Sequence, residues 1–129
     1  MKERAKFDLD LKFGEAGEQW LVWLASERKI EVKRERDKWR GSGNLFFEYE
    51  SRGKASGLAI TAADFWVHIL SLNGENVGSF IFPVPSLKRN LRVLLDRGIA
   101  RRANGGDEDT SKGLLVPLRY VQHLFTTTL

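Results

Sequence analysis

The chain has 129 residues, with 21 lysines and arginines against 17 aspartates and glutamates, and it contains no cysteine. This length is typical of one domain, so we expect a single domain over residues 1–129. The lack of cysteine excludes disulfides, thiolate zinc sites and cysteine nucleophiles, and with two histidines any metal would be a hard cation held by carboxylates. A charged N-terminus and the absence of a long apolar run predict a cytoplasmic protein without a membrane partner.

The first predicted element is a helix over residues 14–27, after a polar segment over residues 1–13. Its apolar residues recur at helical spacing, and acids lie in its first turn, where they interact well with the helix dipole. We expect Trp20 and Trp23 of this helix to lie in the core, together with Trp66.

The next two predicted elements are strands. Residues 29–36 alternate in polarity, with Ile30 and Val32 on one face and charged side chains on the other, which is typical of a half-buried strand. A turn at residues 41–44 precedes an aromatic-rich strand at residues 44–50. The pair predicts a β-hairpin.

The rest of the chain predicts further strands and one amphipathic helix. The predicted segments are a loop or short helix at 52–61, a strand covered on both faces at 65–72, a turn at 73–76, a strand at 77–84, a helix at 86–97 capped by Ser86 and stopped by Gly98, a polar loop at 100–113, a short strand at 114–118 and helical turns at 119–125. This order predicts a mixed α/β (α+β) fold with one central sheet.

Basic residues concentrate in two stretches. Residues 28–40 contain seven bases and three acids, and a second basic group lies within residues 88–102. Such clusters suit a polyanion, because each neutralised phosphate releases counterions. The alternative is a solvated polar face with interspersed charges.

The predicted hairpin would gather ionisable side chains on one face. Glu31, Lys33 and Glu35 would lie across from Glu48 and Glu50. Clustered carboxylates bind Mg²⁺, and a lysine beside them can position water or offset phosphate charge. The alternative is a charged face that protects an edge strand, with Lys33 paired to Glu48.

The runs GEAGEQWLVWL, IEVKRERD and SGNLFFEYESRGKASGLAITAADFW resemble the PD-(D/E)XK nuclease superfamily, and within it the small phage-type endonucleases. The match covers residues 14–83, and the C-terminal GGD and SKGLLVPL segments fit more loosely. The resemblance implies a restriction-endonuclease-like fold, a central mixed sheet flanked by helices. It also implies Mg²⁺-dependent (or Mn²⁺-dependent) hydrolysis of phosphodiester bonds in DNA, including branched or phage DNA.

On the first part of the motif, the resemblance assigns Glu18 to the helix acid that supports the metal. Glu31 and Lys33 match the E-x-K pattern. Glu35 stands where the following acid is expected, and Asp37 competes with it because the chain is two residues longer there.

On the second part, Glu48 matches the carboxylate of the second strand, and Glu50 stands where many members have lysine. Either Glu48 and Glu50 form a degenerate E-x-K with an acid on the preceding strand, or Glu31 and Lys33 are the motif and Glu48 lies across the hairpin. The expected catalytic residues are Lys33, Glu48 and Glu31, and the expected metal ligands are Glu18, Glu35, Asp37, Glu48 and Glu50.

Further residues are expected to hold DNA. Basic side chains would contact phosphates, and Trp39 would contact nucleic acid or, alternatively, pack back on the sheet. The expected phosphate-binding residues are Arg34, Arg36, Lys38, Arg40 and Lys54. His68 lies within an apolar strand and is expected to be a hydrogen-bonded core histidine, and Asp64 is expected to cap locally or to hold Arg52.

Two other functions remain open on the sequence. One is a nucleic-acid-binding module that has lost the nuclease centre, for which the absence of lysine at Glu50 is the support. The other is a structural or assembly protein of a phage. A homodimer is expected if the substrate is duplex or branched DNA, since a domain this small cuts one strand per active site.

Overall fold

The computed structural model describes residues 2–126, with the side chains at positions 2–5, 7–9, 27 and 107 left undescribed. The elements in chain order are α1 (Lys2–Glu27), β1 (Ile30–Glu35), α2 (Lys38–Ser42), β2 (Asn44–Ser51), β3 (Lys54–Ala55), a 3-10 helix (Gly57–Ala59), β4 (Phe65–Leu72), β5 (Glu75–Pro83), α3 (Val84–Asp96), β6 (Arg101–Gly105), a 3-10 turn (Asp107–Asp109), β7 (Ser111–Pro117) and a 3-10 helix (Leu118–Leu124). The mixed α+β class predicted from the sequence is confirmed.

The strands form two sheets instead of the single sheet predicted. One has the order β1-β4-β5, in which β1 is parallel to β4 and β4 is antiparallel to β5. The other is antiparallel, with the order β3-β2-β7-β6. The predicted hairpin between β1 and β2 is therefore wrong, and the short helix α2 is the reason. It leads the chain out of the first sheet, and Gly43 ends it with a φ of +72°.

Strand β1 alternates as predicted, but its charged face is the more buried one. Glu31, Lys33 and Glu35 are half-buried, while Ile30 and Val32 are exposed, Val32 to 55%. The parallel register sets Lys33 opposite His68. The charged face of β1 thus continues the inward face of β4, and the apolar face is left in contact with solvent.

The core lies between the two sheets and α3. Phe47 of β2, Trp66 of β4, Phe82 of β5 and Leu87 and Leu94 of α3 are all fully buried. Helix α3 begins at Val84, with Pro85 in its first turn where a missing N–H costs nothing, and Ser86 makes no capping bond. The spacing of Leu87, Leu91, Leu94 and Leu95 predicts its buried stripe, and the first three are buried while Leu95 is half-buried.

Helix α1 differs most from its prediction. It begins at Lys2, and Trp20 and Trp23, predicted to be core, are 46% and 44% exposed. Both rings meet Phe65 edge-on, and Leu24 is buried. Helix α1 therefore packs on the rest of the chain through its C-terminal half. Among residues 2–126, no helix combines the length and the apolar character that crossing a membrane requires.

The remaining strands show one further difference. Strand β4 has the bounds predicted, and the β4–β5 turn has positive φ at Asn73 and Gly74, as a tight hairpin requires. The predicted polar loop at 100–113, however, contains β6, which pairs with β7. Its residues alternate weakly in polarity, so this strand depends on its partner.

Candidate functional site

A carboxylate lies at the contact between the two sheets. Glu35 is the last residue of β1, and its side chain is 12% exposed. Its Oε1 lies 2.9 Å from Nε2 of His68 and accepts a hydrogen bond from the backbone N–H of Phe46 in β2. The Ser71 hydroxyl donates to the Glu35 carbonyl oxygen. Glu35 therefore links three strands of the two sheets.

The hydrogen bonds around His68 fix its tautomer. The indole Nε1–H of Trp66 lies 3.1 Å from Nδ1 of His68, and because an indole nitrogen only donates, Nδ1 accepts. The ring proton is then on Nε2, which donates to Glu35. His68 is 1% exposed, and the Phe47 ring lies 4.6 Å from the imidazole centroid. The predicted hydrogen-bonded core histidine is confirmed, and its partner is a predicted metal ligand.

The two oxygens of the Glu35 carboxylate differ in their surroundings. Oε1 accepts both hydrogen bonds, and Oε2 receives none from any residue that the structure describes. A carboxylate oriented through one oxygen keeps the lone pairs of the other for a ligand. Sequence reasoning included Glu35 in the ligand set, but it did not foresee that His68 and Phe46 would orient it.

Two further charged residues lie on the same face of β1. The Lys33 ammonium lies 3.9 Å from Oε1 of Glu31, and both side chains are partly exposed. This pair is partly solvated, so its contribution to stability is small. Its effect is to hold the lysine on the face of β1 that Glu35 shares, two residues along the strand.

The acids of β2 are positioned by other elements. Oε2 of Glu48 accepts a hydrogen bond of 2.9 Å from the Ser56 hydroxyl, at the start of the first 3-10 helix. Glu50 follows a bulge in β2, and its carboxylate lies 3.5 Å from the Lys112 ammonium on β7. Sequence reasoning missed Lys112, which stands in the loosely matching SKG segment, because only the β2–β7 pairing brings it beside Glu50.

The structure brings Glu35 close to β2 but does not gather all the predicted ligands. Glu35 accepts a hydrogen bond from the backbone amide of Phe46. Glu48 follows Phe46 by two residues, so their backbones are about 7 Å apart along β2. Asp37 instead accepts a hydrogen bond from the backbone N–H of Asn73, and Glu18 is exposed on α1. Within the described part of the chain, no three histidine or acidic side chains form a group that could hold a metal ion.

The predicted DNA-contacting residues fall into two groups. Arg34 donates to the Asn76 side chain and the Gly74 carbonyl, both at 2.7 Å, so it ties β1 to the β4–β5 turn. Trp39 donates to the Ser71 carbonyl at 2.6 Å and packs against the core, as the alternative interpretation had it. The side chains of Arg36, Lys38, Arg40 and Lys54 are exposed to solvent, as is that of Arg34 despite its two hydrogen bonds.

Asp64 has a structural role between two segments that are distant in the chain. Its Oδ2 accepts a hydrogen bond of 3.1 Å from the backbone N–H of Lys29, 35 residues away and just before β1. The backbone N–H of Asp64 donates in turn to the Lys29 carbonyl. This exchange sets where β1 and β4 begin to pair, so Asp64 bonds across the sheet and is not the local cap expected from the sequence.

Comparison with known proteins yields no match. A scan against models of protein families, a search of curated proteins and a search of solved structures each find nothing similar to this chain.

Proposed function

We propose that the protein is a metal-dependent endodeoxyribonuclease that hydrolyses phosphodiester bonds in DNA with Mg²⁺ or Mn²⁺. One observation carries the proposal: the Glu35 carboxylate is held through Oε1 by His68 and Phe46, while Oε2 is left for a ligand. Carboxylates that bind metals are held in this way by hydrogen bonds from surrounding groups, which fix their orientation and raise metal affinity.

Glu35 and Glu48 are the residues that would hold the ion. Mg²⁺ commonly takes one or two protein carboxylates and completes its coordination with water and substrate phosphate. Two acids therefore suffice in the absence of a preformed cluster of three. When bound, the ion acidifies a coordinated water and offsets the charge that develops on the phosphate. Glu31 and Glu50 are each paired with a lysine, so we do not propose them as ligands of the ion.

Lys33 is the proposed group that orients the attacking water. Its ammonium is partly exposed and lies on the same face of β1 as Glu35, and Glu31 restrains it at 3.9 Å. A lysine at this place offers donors to water and to phosphate oxygens. Lys112, 3.5 Å from Glu50, supplies a second ammonium beside β2, where the superfamily pattern would have lysine in the strand itself.

DNA cleavage is the direct test. Purified protein is incubated with duplex, single-stranded and branched DNA in Mg²⁺ or Mn²⁺, and Glu48→Ala is compared with the parent. Glu75→Ala is the matched control, because Glu75 is an exposed acid at the start of β5, outside the site. The proposal fails if the parent cuts none of these substrates, or if Glu48→Ala cuts as fast as Glu75→Ala does.

A second function is a nucleic-acid-binding module on the same fold without catalysis. It is favoured by the absence of a group of three metal-binding side chains within residues 2–126. Titration of the protein with Mn²⁺ in a calorimeter separates the two. The nuclease is expected to bind the ion and lose that binding in Glu35→Gln, whereas the binding module is expected to release no heat.

We also propose that the protein forms a homodimer, so that two sites can act on a duplex or a junction. The support is apolar surface without a partner in the described part of one chain. It includes Val32 on the outer face of the first sheet and Leu21 and Val22 on α1, all more than half exposed. Exposed apolar patches of this kind mark protein interfaces.

A further inference from the structure

The second basic stretch of the sequence lines a cavity far along the chain from the acids of β1. This cavity, here named the α3–β6 cavity, has a volume of about 250 Å³ and lies between α3, β6 and β2. Lys88 and Arg92 contribute from α3, and Arg102 contributes from β6. Its apolar wall includes Leu58, Leu91 and Leu114.

The charge of the cavity has a single sign. Among the described residues, its lining contains three cations and no carboxylate. Lys88 and Arg92 are four residues apart, so they lie on one side of α3. Asp96 lies 3.6 Å from Arg92, and both side chains are well exposed, so this ion pair is weak. An anionic ligand is therefore favoured, and the separation of the cations over two elements suits successive phosphates.

The apolar wall of the cavity indicates that the anionic ligand also has an apolar part. Ligand pockets for drug-sized molecules are typically about 300–1,000 Å³, so this cavity is suited to a smaller group such as one planar base. Tyr49 lines it as well, and aromatic side chains are the usual surfaces on which unstacked bases rest. Cations around an apolar cavity with one aromatic ring match a nucleotide, which has a charged and an apolar part.

We infer that the α3–β6 cavity binds one unstacked nucleotide of a DNA strand, with its base against the apolar wall and Tyr49, and the adjoining phosphates on Lys88, Arg92 and Arg102. This inference rests on the proposed function for the identity of the nucleic acid. Tyr49 follows Glu48 in β2, so the cavity and this acid, which is proposed to hold the metal, share one strand.

Binding to single-stranded DNA without metal is the test, because cleavage then plays no part. A short fluorescein-labelled oligothymidylate is titrated with protein in EDTA by fluorescence anisotropy, over a series of salt concentrations. The variant is Lys88→Ala, Arg92→Ala and Arg102→Ala combined. The control is Arg89→Ala, Arg97→Ala and Arg101→Ala combined, which removes the same charge from neighbouring exposed positions outside the cavity lining.

The cavity variant is expected to bind at least about tenfold more weakly than the control variant. The slope of log K against log salt is expected to fall by about 2, since each phosphate contact to a single strand contributes about 0.7. All six side chains are exposed, so both proteins should keep the circular dichroism of the parent. Equal weakening in the two variants would mean diffuse attraction and would overturn the inference.

A second arm tests the base. The parent is expected to bind the oligothymidylate several-fold more tightly than an abasic strand of equal length, since stacking contributes about 1–3 kcal/mol per base in such sites. Ala59→Leu, which fills the cavity without changing charge, should reduce that preference. Equal affinity of the parent for both strands overturns the base-binding inference. If the parent binds as expected in these two arms but cleaves no DNA, the proposed nuclease activity is refuted and the nucleotide-binding cavity is not.

Discussion

The Nε2 nitrogen of His68 lies 2.9 Å from Oε1 of Glu35, which joins the middle of β4 to the end of β1. Nδ1 of the same ring accepts from the indole of Trp66, a fully buried side chain. The orientation of a partly exposed carboxylate is therefore determined by two hydrogen bonds that reach into the core. A change in the core should then alter the proposed site without replacing Glu35 itself.

We first expect Glu35→Gln to keep the fold and lose metal binding. The amide oxygen can still accept from His68 and Phe46, but the group no longer carries the charge that binds Mg²⁺. Affinity for Mn²⁺ in a calorimetric titration should fall at least about 100-fold, because loss of a group that only orients a ligand already costs about 10–100-fold. Glu75→Gln should retain the parental affinity, and equal affinity of both variants would refute the role of Glu35.

The second prediction concerns His68→Ala. Removal of the ring leaves a cavity in the core, the buried Trp66 indole N–H without its acceptor and the Glu35 carboxylate without one of its two donors, so stability should fall by about 3–5 kcal/mol. Urea denaturation followed by circular dichroism gives the value. Trp66→Phe removes the donor to Nδ1 together with a small part of the buried ring volume, for which a loss of about 1–3 kcal/mol is expected. If His68→Ala costs less than Trp66→Phe, the network does not stabilise this core.

Metal affinity provides a separate measurement of the same network. Because the His68–Glu35 bond orients the proposed ligand, Trp66→Phe should weaken Mn²⁺ binding by about 10-fold or more although Trp66 is remote from the ion. Phe80→Leu, a substitution on the neighbouring strand β5, is the control for a general effect on packing. Unchanged affinity in Trp66→Phe would show that the orientation of Glu35 does not depend on this bond.

The third prediction concerns Gly57, where the 3-10 helix approaches β2. Its φ is +49°, and an added Cβ would lie 2.3 Å from the carbonyl oxygen of Glu48. Gly57→Ala should therefore cost about 2–4 kcal/mol, from backbone strain together with the steric clash. Gly53 has a φ of +78° and open space around it, so Gly53→Ala should cost only the strain, about 1–2 kcal/mol. Equal losses in thermal denaturation would contradict the close approach.

The fourth prediction concerns assembly. Sedimentation equilibrium is expected to give a dimer for the parent and a monomer for Val32→Glu, because a charge on the outer face of the first sheet would be buried without a partner. Ile60→Glu adds the same charge at another exposed apolar position and should leave the dimer intact. A monomeric parent would refute the dimer, and dissociation by both variants would show that the interface does not require the sheet face.

Local patterns were sufficient for several elements. An apolar run bounded by turn residues predicts β4 with its observed limits, and a leucine stripe predicts α3. These predictions succeed because periodicity and turn chemistry act between near neighbours in the chain. The proposal of carboxylates as metal ligands also comes from the composition, since the chain has no cysteine and two histidines.

Pairing between distant segments could not be predicted in this way. The alternating polarity of β1 is compatible with a hairpin with β2 and also with parallel pairing to β4. It is equally compatible with either face of β1 being turned toward the core. Side-chain packing decided both questions, by turning Glu35 of β1 toward His68. For the same reason the sequence does not predict the ion pair of Lys112 with Glu50, which forms only because β7 lies against β2.

The sequence alone is enough to predict β4, α3, the basic stretches and the carboxylates proposed as metal ligands. Tertiary contacts establish that Glu35 is oriented through one oxygen and that Lys88, Arg92 and Arg102 line one cavity. The difference lies in the range of the interactions. Helical and strand periodicity depends on residues a few positions apart, whereas the site depends on contacts such as that of Glu35 with His68, 33 residues apart, which form only when the core packs.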